Sequence, residues 1–151
     1  MNIQSINLFT IGFTGKTAAQ FFDALRVAGV RKVIDTRRWP DTQLSGFAKK
    51  KDLPFFLKNL VGIGYEHRIE LAPSEDILRD YKDKKITWDN YEERYVQLLH
   101  DRQIASKLSP DDMAGCCFLC AEHQPHHCHR RLLAEYLQCE WPQMKIAITH
   151  L

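Results

Sequence analysis

INLFTIGFTGKTAAQFFDALRVAGVRKVIDT, residues 6–36, carries the pattern that decides the fold. Residues 6–13 mix β-branched and aromatic side chains in a short apolar run and then yield to Thr14, Gly15 and Lys16, the signature of a buried strand followed by a turn. Thr17 with Gln20 three residues later forms a capping box, in which each side chain satisfies an amide that the first helical turn leaves unpaired. Ala18, Phe21, Phe22, Leu25 and Val27 recur as the apolar face of a helix that stops at Gly29. Val30–Thr36 predicts a second strand immediately afterwards. Strand, helix and strand within about thirty residues make a βαβ unit, whose two strands lie parallel in one sheet.

Outward from this unit the same alternation continues. Lys49–Leu60 predicts a second helix with Leu53, Phe55, Phe56, Leu57 and Leu60 on it and Pro54 near its start. Ile63–His67 follows as a short third strand, and Pro73–Lys84 as a short helix. Thr87–Lys107 is the longest periodic stretch, with Trp88, Tyr91, Tyr95, Leu98, Leu99 and Ile104 at helical spacing, and reads as one helix. GCCFLCAE, residues 115–122, is apolar on both alternating faces until its last residue, the pattern of a central strand covered by helices on both sides. A helix over His127–Gln138 and a strand over Met144–Thr149 complete the series. The expected fold is α/β, a single three-layer domain over residues 1–151 with a mostly parallel sheet and helices on both faces. Leu8, Ile11, Val33, Ile34, Phe118 and Leu119 are expected in its core.

Composition narrows the function classes. A hydrophobic fraction of 44% and a charged fraction of 26% over 151 residues are ordinary for one globular domain and exclude a fibrous or disordered chain. The formal net charge of +2 lacks the basic excess of a dedicated nucleic-acid binder. No run approaches the roughly eighteen apolar residues of a membrane helix, and MNIQSINLF is no export signal, so a cytoplasmic protein without a membrane partner is expected. Five cysteines confined to the last third form a poor disulfide framework in that compartment and are expected to be reduced. Cys116, Cys117 and Cys139 read as small core hydrophobes.

In open α/β sheets ligands bind beyond the carboxyl ends of the strands. Applied strand by strand, the rule collects Thr14, then Asp35, Arg37 and Arg38, then Cys120 and Glu122. Asp35 either orders its own loop or pairs with an arginine, while an arginine fork suits a carboxylate or phosphate. CAEHQPHHCHRR, residues 120–131, lies between the central strand and a helix whose amino end favours anions. Arg130 there either receives a ligand or braces Glu122. Cys128 near that amino end is placed for a lowered pKa. Zinc held by Cys117, Cys120, Cys128 and a histidine meets a geometric objection, since Cys117 and Cys120 point to opposite faces of a strand; Cys120, Cys128 and a histidine remain as a smaller set. The ten-residue spacing from Cys120 to Arg130 is not the Cys-x5-Arg loop of cysteine phosphatases.

TIGFTG at 10–15, DTRRWP at 35–40, GFAKK at 46–50 and CAEHQPHHCHRRLLAEYL at 120–137 together resemble the domain-of-unknown-function family 488, over most of the chain. The resemblance implies a compact α/β protein and directs attention to Thr10, Gly12, Asp35, Arg37, Pro40, Phe47, Cys120, Glu122, Cys128, His129 and Arg130. It implies no established reaction. Where relatives of this kind tend to read Glu-Leu-Gly, this chain has Glu70, Leu71 and Ala72, which removes the glycine that a tight backbone approach would use.

The reading that follows is a protein binding a phosphate-bearing small molecule or nucleotide at the carboxyl edge of the sheet. Thr14, Arg37, Arg38, Cys120, His129 and Arg130 are its expected binding residues, and Asp35, Glu122 and Cys128 the candidates for chemistry. No cofactor and no metal are assigned. The rivals are a noncatalytic nucleic-acid-binding module using Lys49, Lys50, Lys51 and a stacking Trp39, and an interaction domain with a structural Cys-His-Arg loop. If one site is correct, Asp35, Arg37, Cys120, Glu122, His129 and Arg130 line one cleft.

Overall fold

The structure, a computed structural model, describes residues 4–41, 46–122 and 124–151; His123, one of the histidines of the zinc reading, lies outside them. Five strands form one all-parallel sheet: β1 (Ser5–Gly12), β2 (Lys32–Asp35), β3 (Gly64–His67), β4 (Cys116–Cys120) and β5 (Lys145–His150), in the order β3-β2-β4-β1-β5. Helices lie between all successive strands: α1 (Ala18–Ala28), α2 (Leu53–Phe56), α3 (Glu75–Lys82), α4 (Trp88–Asp101), α5 (Ile104–Lys107), α6 (Pro110–Met113) and α7 (His129–Glu140), of which α2, α5 and α6 have four residues each.

Pleating sorts the side chains into two cores. Phe9 and Ile11 of β1, Val33 of β2 and Cys117 and Leu119 of β4 pack with Phe21, Phe22 and Leu25 of α1 and Leu53 of α2. Leu8, Ile34, Cys116 and Phe118 point the other way and pack with Tyr91, Tyr95 and Leu99 of α4 and Leu132, Leu133 and Leu137 of α7. All six residues expected in the core have no exposed surface. Both sheet faces are therefore covered, as near-continuous apolar strands require.

The capping box at α1 forms as the sequence predicts: the Gln20 amide donates to Thr17 Oγ1 at 3.1 Å and the Thr17 amide to Gln20 Oε1 at 2.9 Å, and Gly29 closes the helix at φ 74°. Two expected helices differ. The second begins at Leu53 rather than Lys49, with Pro54 in its first turn where an amide has no helical partner, and it runs on as a π turn to Val61. The long helix over 87–107 is broken: Gln103 turns left-handed at φ 55°. Arg102, one residue earlier, donates from Nη1 to the carbonyls of Glu70 and Ala72 at 2.8 and 2.7 Å. That tertiary anchor holds the segment of Glu70, Leu71 and Ala72.

The connections set the site. After β1 and β2 the chain crosses to the face of α1 and α2, whereas after β4 it enters α7 on the other face. Because β2 and β4 are neighbours, paired from Lys32↔Cys116 to Asp35↔Leu119, their continuations diverge at the carboxyl edge. Such divergence opens a crevice.

Candidate functional site

Gly12, the last residue of β1, makes the crossing beside that crevice possible. A Cβ there would overlap the Glu122 carbonyl and stand 2.6 Å from Arg130 Nη1. The Thr14 amide donates to the Ala121 carbonyl at 3.1 Å, so the loops after β1 and β4 are tied together. Arg130 lies beneath them, fully buried; its Nη1 donates to the Glu122 carbonyl and to Cys120 Sγ at 3.1 Å. Burial lowers its pKa to about 10, with Cys117 and Glu122 opposing the shift. Arg130 thus braces the backbone of Glu122 and a cysteine sulfur, and it does not line the cavity described below. Thr14 is exposed and also stands outside that cavity.

His129, in the first turn of α7, is fixed by the residue that follows β2. Its Nε2 lies 2.9 Å from both the carbonyl and the hydroxyl of Thr36. The Thr36 hydroxyl donates to the Leu119 carbonyl at 2.8 Å, and a carbonyl can only accept, so Nε2 carries the hydrogen and Nδ1 keeps a lone pair. Desolvation lowers the imidazole pKa to about 4, against the pull of the Thr36 hydrogen bond, so the ring is neutral near pH 7.

Cys120 ends β4 and Cys128 is the N-cap residue of α7, so the two ends of the intervening loop bring them together. Their sulfurs are joined in a disulfide, which corrects the expectation of five reduced cysteines. Cys128 in that state has no thiolate, although the helix amino end would favour one. Cys117 faces the opposite core, with burial pushing its thiol up, and so stands apart from Cys120 as strand alternation requires. Cys139 is exposed on α7 instead of buried.

A cavity of about 200 Å³ opens at the diverging ends of β2 and β4. Arg37, Arg38, Cys120, Glu122, Cys128 and His129 contribute its polar lining. An aromatic wall faces them, built from Trp39, Tyr81, Trp88, Tyr91 and His127. Trp88 stacks on Tyr91 at 4.7 Å and on His127 at 4.8 Å between ring centres. Arg37 Nη1 and Arg38 Nε are buried with no hydrogen-bond partner. A guanidinium nitrogen withdrawn from water without a partner is costly.

Asp35 is not brought to this cavity. Its pleat position places it with Val33 on the α1/α2 face, fully buried, where Arg37 Nε and Nη2 approach at 2.9 and 2.7 Å and the Tyr65 hydroxyl donates at 2.5 Å. Arg37 Nη2 also donates to the Ala48 carbonyl at 2.6 Å. Six of the nine residues expected at the site therefore line one cavity; Asp35, Arg130 and Thr14 support its walls from behind.

The family model described as "Domain of unknown function DUF488" matches residues 17–137, from the start of α1 to near the end of α7. The chain belongs to the DUF488 family. No curated protein and no solved structure matches it. The DUF488 match spans every segment that lines the cavity and leaves β1 and β5 outside it.

Sequence reasoning missed the role of Thr36 and, apart from Trp39 and His127, the aromatic wall. Thr36 sits one place beyond β2, where a polar residue with a buried side chain was the available signal. Tyr81, Trp88 and Tyr91 carry helical spacing that equally fits a core face, and only the packing of α3 against α4 turns them toward the crevice.

Proposed function

We propose that this chain binds a phosphate-bearing small molecule, of nucleotide type, in the cavity between the ends of β2 and β4. The observation that carries the reading is Arg38, whose buried Nε has no hydrogen-bond partner, on the lining of a cavity walled by stacked aromatic rings. A phosphate oxygen supplies what the Arg38 nitrogen lacks, and a planar base gives the rings an apolar surface to cover. The amino end of α7 adds favourable potential for the same charge. Glu122 is the exposed carboxylate on the lining and the group available for proton transfer; Asp35 and Arg130 position Arg37 and the Glu122 loop.

Calorimetric titration with nucleoside monophosphates, nucleosides and inorganic phosphate tests the reading. A monophosphate should bind, the matching nucleoside should not, and Arg38→Ala should weaken binding by roughly tenfold or more, the worth of one charge-assisted hydrogen bond. A shallow salt dependence is expected of a single phosphate. No binding across the panel, or tight oligonucleotide binding with a steep salt slope, would overturn it, the latter in favour of the nucleic-acid module.

A further inference from the structure

We infer that reduction of the Cys120–Cys128 pair creates a binding site for one soft divalent ion, of the zinc class, held by Cys120 Sγ, Cys128 Sγ and His129 Nδ1, with its fourth position facing the cavity. One ligand atom of each residue, a ring nitrogen in the case of His129, lies within 4.8 Å of the other two, and all three residues are buried. Two thiolates and an imidazole are a donor set that such ions prefer, and three protein ligands with an open fourth position is the arrangement of reactive rather than structural zinc.

Two features outside the three residues favour an ion. The Nε2 hydrogen of His129 is committed to the Thr36 carbonyl and hydroxyl, which presents Nδ1 as the donor; metal-binding histidines characteristically hold their other nitrogen in this way. Arg130 donates to Cys120 Sγ at 3.1 Å, a hydrogen bond that stabilises a thiolate ligand. The Cα atoms of Cys120 and Cys128 are 7.4 Å apart, beyond the roughly 4.4–6.8 Å usual for a disulfide. An ion inserted between the sulfurs, with metal–sulfur bonds of about 2.3 Å, makes a longer bridge that suits this spacing.

The chemistry balances in two steps. A dithiol reductant gives two electrons and two protons to the disulfide and is itself oxidised to a disulfide. The two thiols then release two protons as the ion binds, so that two thiolate charges neutralise the dication. The site is independent of the anion reading, although all three ligands line the same cavity.

Cobalt titration of the protein after reduction and removal of the reductant under argon tests it. Reduced wild type should bind one equivalent with thiolate-to-cobalt charge-transfer absorption and the visible bands of a tetrahedral ion; the oxidised protein should show neither. Cys128→Ser and His129→Ala should each lose the signal, and Cys139→Ser should keep it. Because core variants can fail to fold, a second measurement uses wild type alone: zinc should protect Cys120 and Cys128, and not the exposed Cys139, from alkylation mapped by peptide mass. Absence of the charge-transfer band in the reduced wild type, or alkylation of Cys120 and Cys128 at unchanged rate with zinc present, would overturn the proposal.

Discussion

The two faces of the sheet's carboxyl edge hold similar numbers of polar groups and use them differently. On the α1/α2 face, Asp35, Arg37, Tyr65 and Ala48 form a closed cluster in which both carboxylate oxygens are engaged. On the α4/α7 face, Cys120, Cys128 and His129 border a cavity and retain a nitrogen lone pair toward no partner among the described hydrogen bonds. Arg37 joins them, since its guanidinium closes the first cluster while the residue lines the second. Polar residues after a parallel strand are thus not one class: pleat parity decides which close on one another within the scaffold and which border the cavity.

The largest effect expected is on the closed side. Asp35→Ala leaves the Arg37 charge buried without its carboxylate and should cost about 3–5 kcal/mol in urea unfolding at pH 7. A loss below about 1 kcal/mol would show that the cluster is not the staple described here.

On the open side the scale is set by His129. Its folded pKa of about 4 lies below the ordinary value, which is about 6.5 in an unfolded chain. The unfolded chain therefore takes up a proton first as pH falls. The stabilisation is complete above about pH 6.5, is lost as pH falls toward 4, and amounts to about 3 kcal/mol. Unfolding of the oxidised protein measured from pH 7 to 4, with chelator present, should show this decline. The slope should be shallower in His129→Gln, and equal slopes would remove the imidazole from the account.

Arg38→Ala should change stability least, within about 0.5 kcal/mol, because Nε has no protein partner to lose. A cost approaching that of Asp35→Ala would break the contrast between the two sides and make Arg38 a scaffold residue.

Local signals made much of this legible in advance. Thr17, Gln20 and Gly29 define α1 through contacts within a single turn, and the two-faced apolarity of residues 116–119 marks the central strand. The strand-end rule located the edge at which Arg37, Arg38, Cys120, Glu122 and His129 gather. Long-range causes escaped. The break at Gln103 has no glycine or proline to announce it and goes with the reach of Arg102 to carbonyls some thirty residues away. Asp35 was grouped with Cys120 by strand end, although its two-residue offset from Val33 already assigned it to the other face. The partnership of His129 with Thr36, 93 positions apart, depends on a strand adjacency that no local pattern encodes.

The place of β1 between β4 and β5 also bears on how the chain acquires its structure. Thr10 meets His150 across 140 positions, and the partners of β1 on its other side begin at Cys117. A ribosome delivers residues in order, so β1 and α1 emerge long before either neighbour of that strand exists. With both hydrogen-bonding edges uncovered for most of synthesis, the nascent βαβ unit cannot close its own sheet, and collapse must wait for β4. The apolar stretch Leu8–Phe13 is consequently the segment most exposed to misassociation during translation, and the one for which a holding chaperone has the longest opportunity.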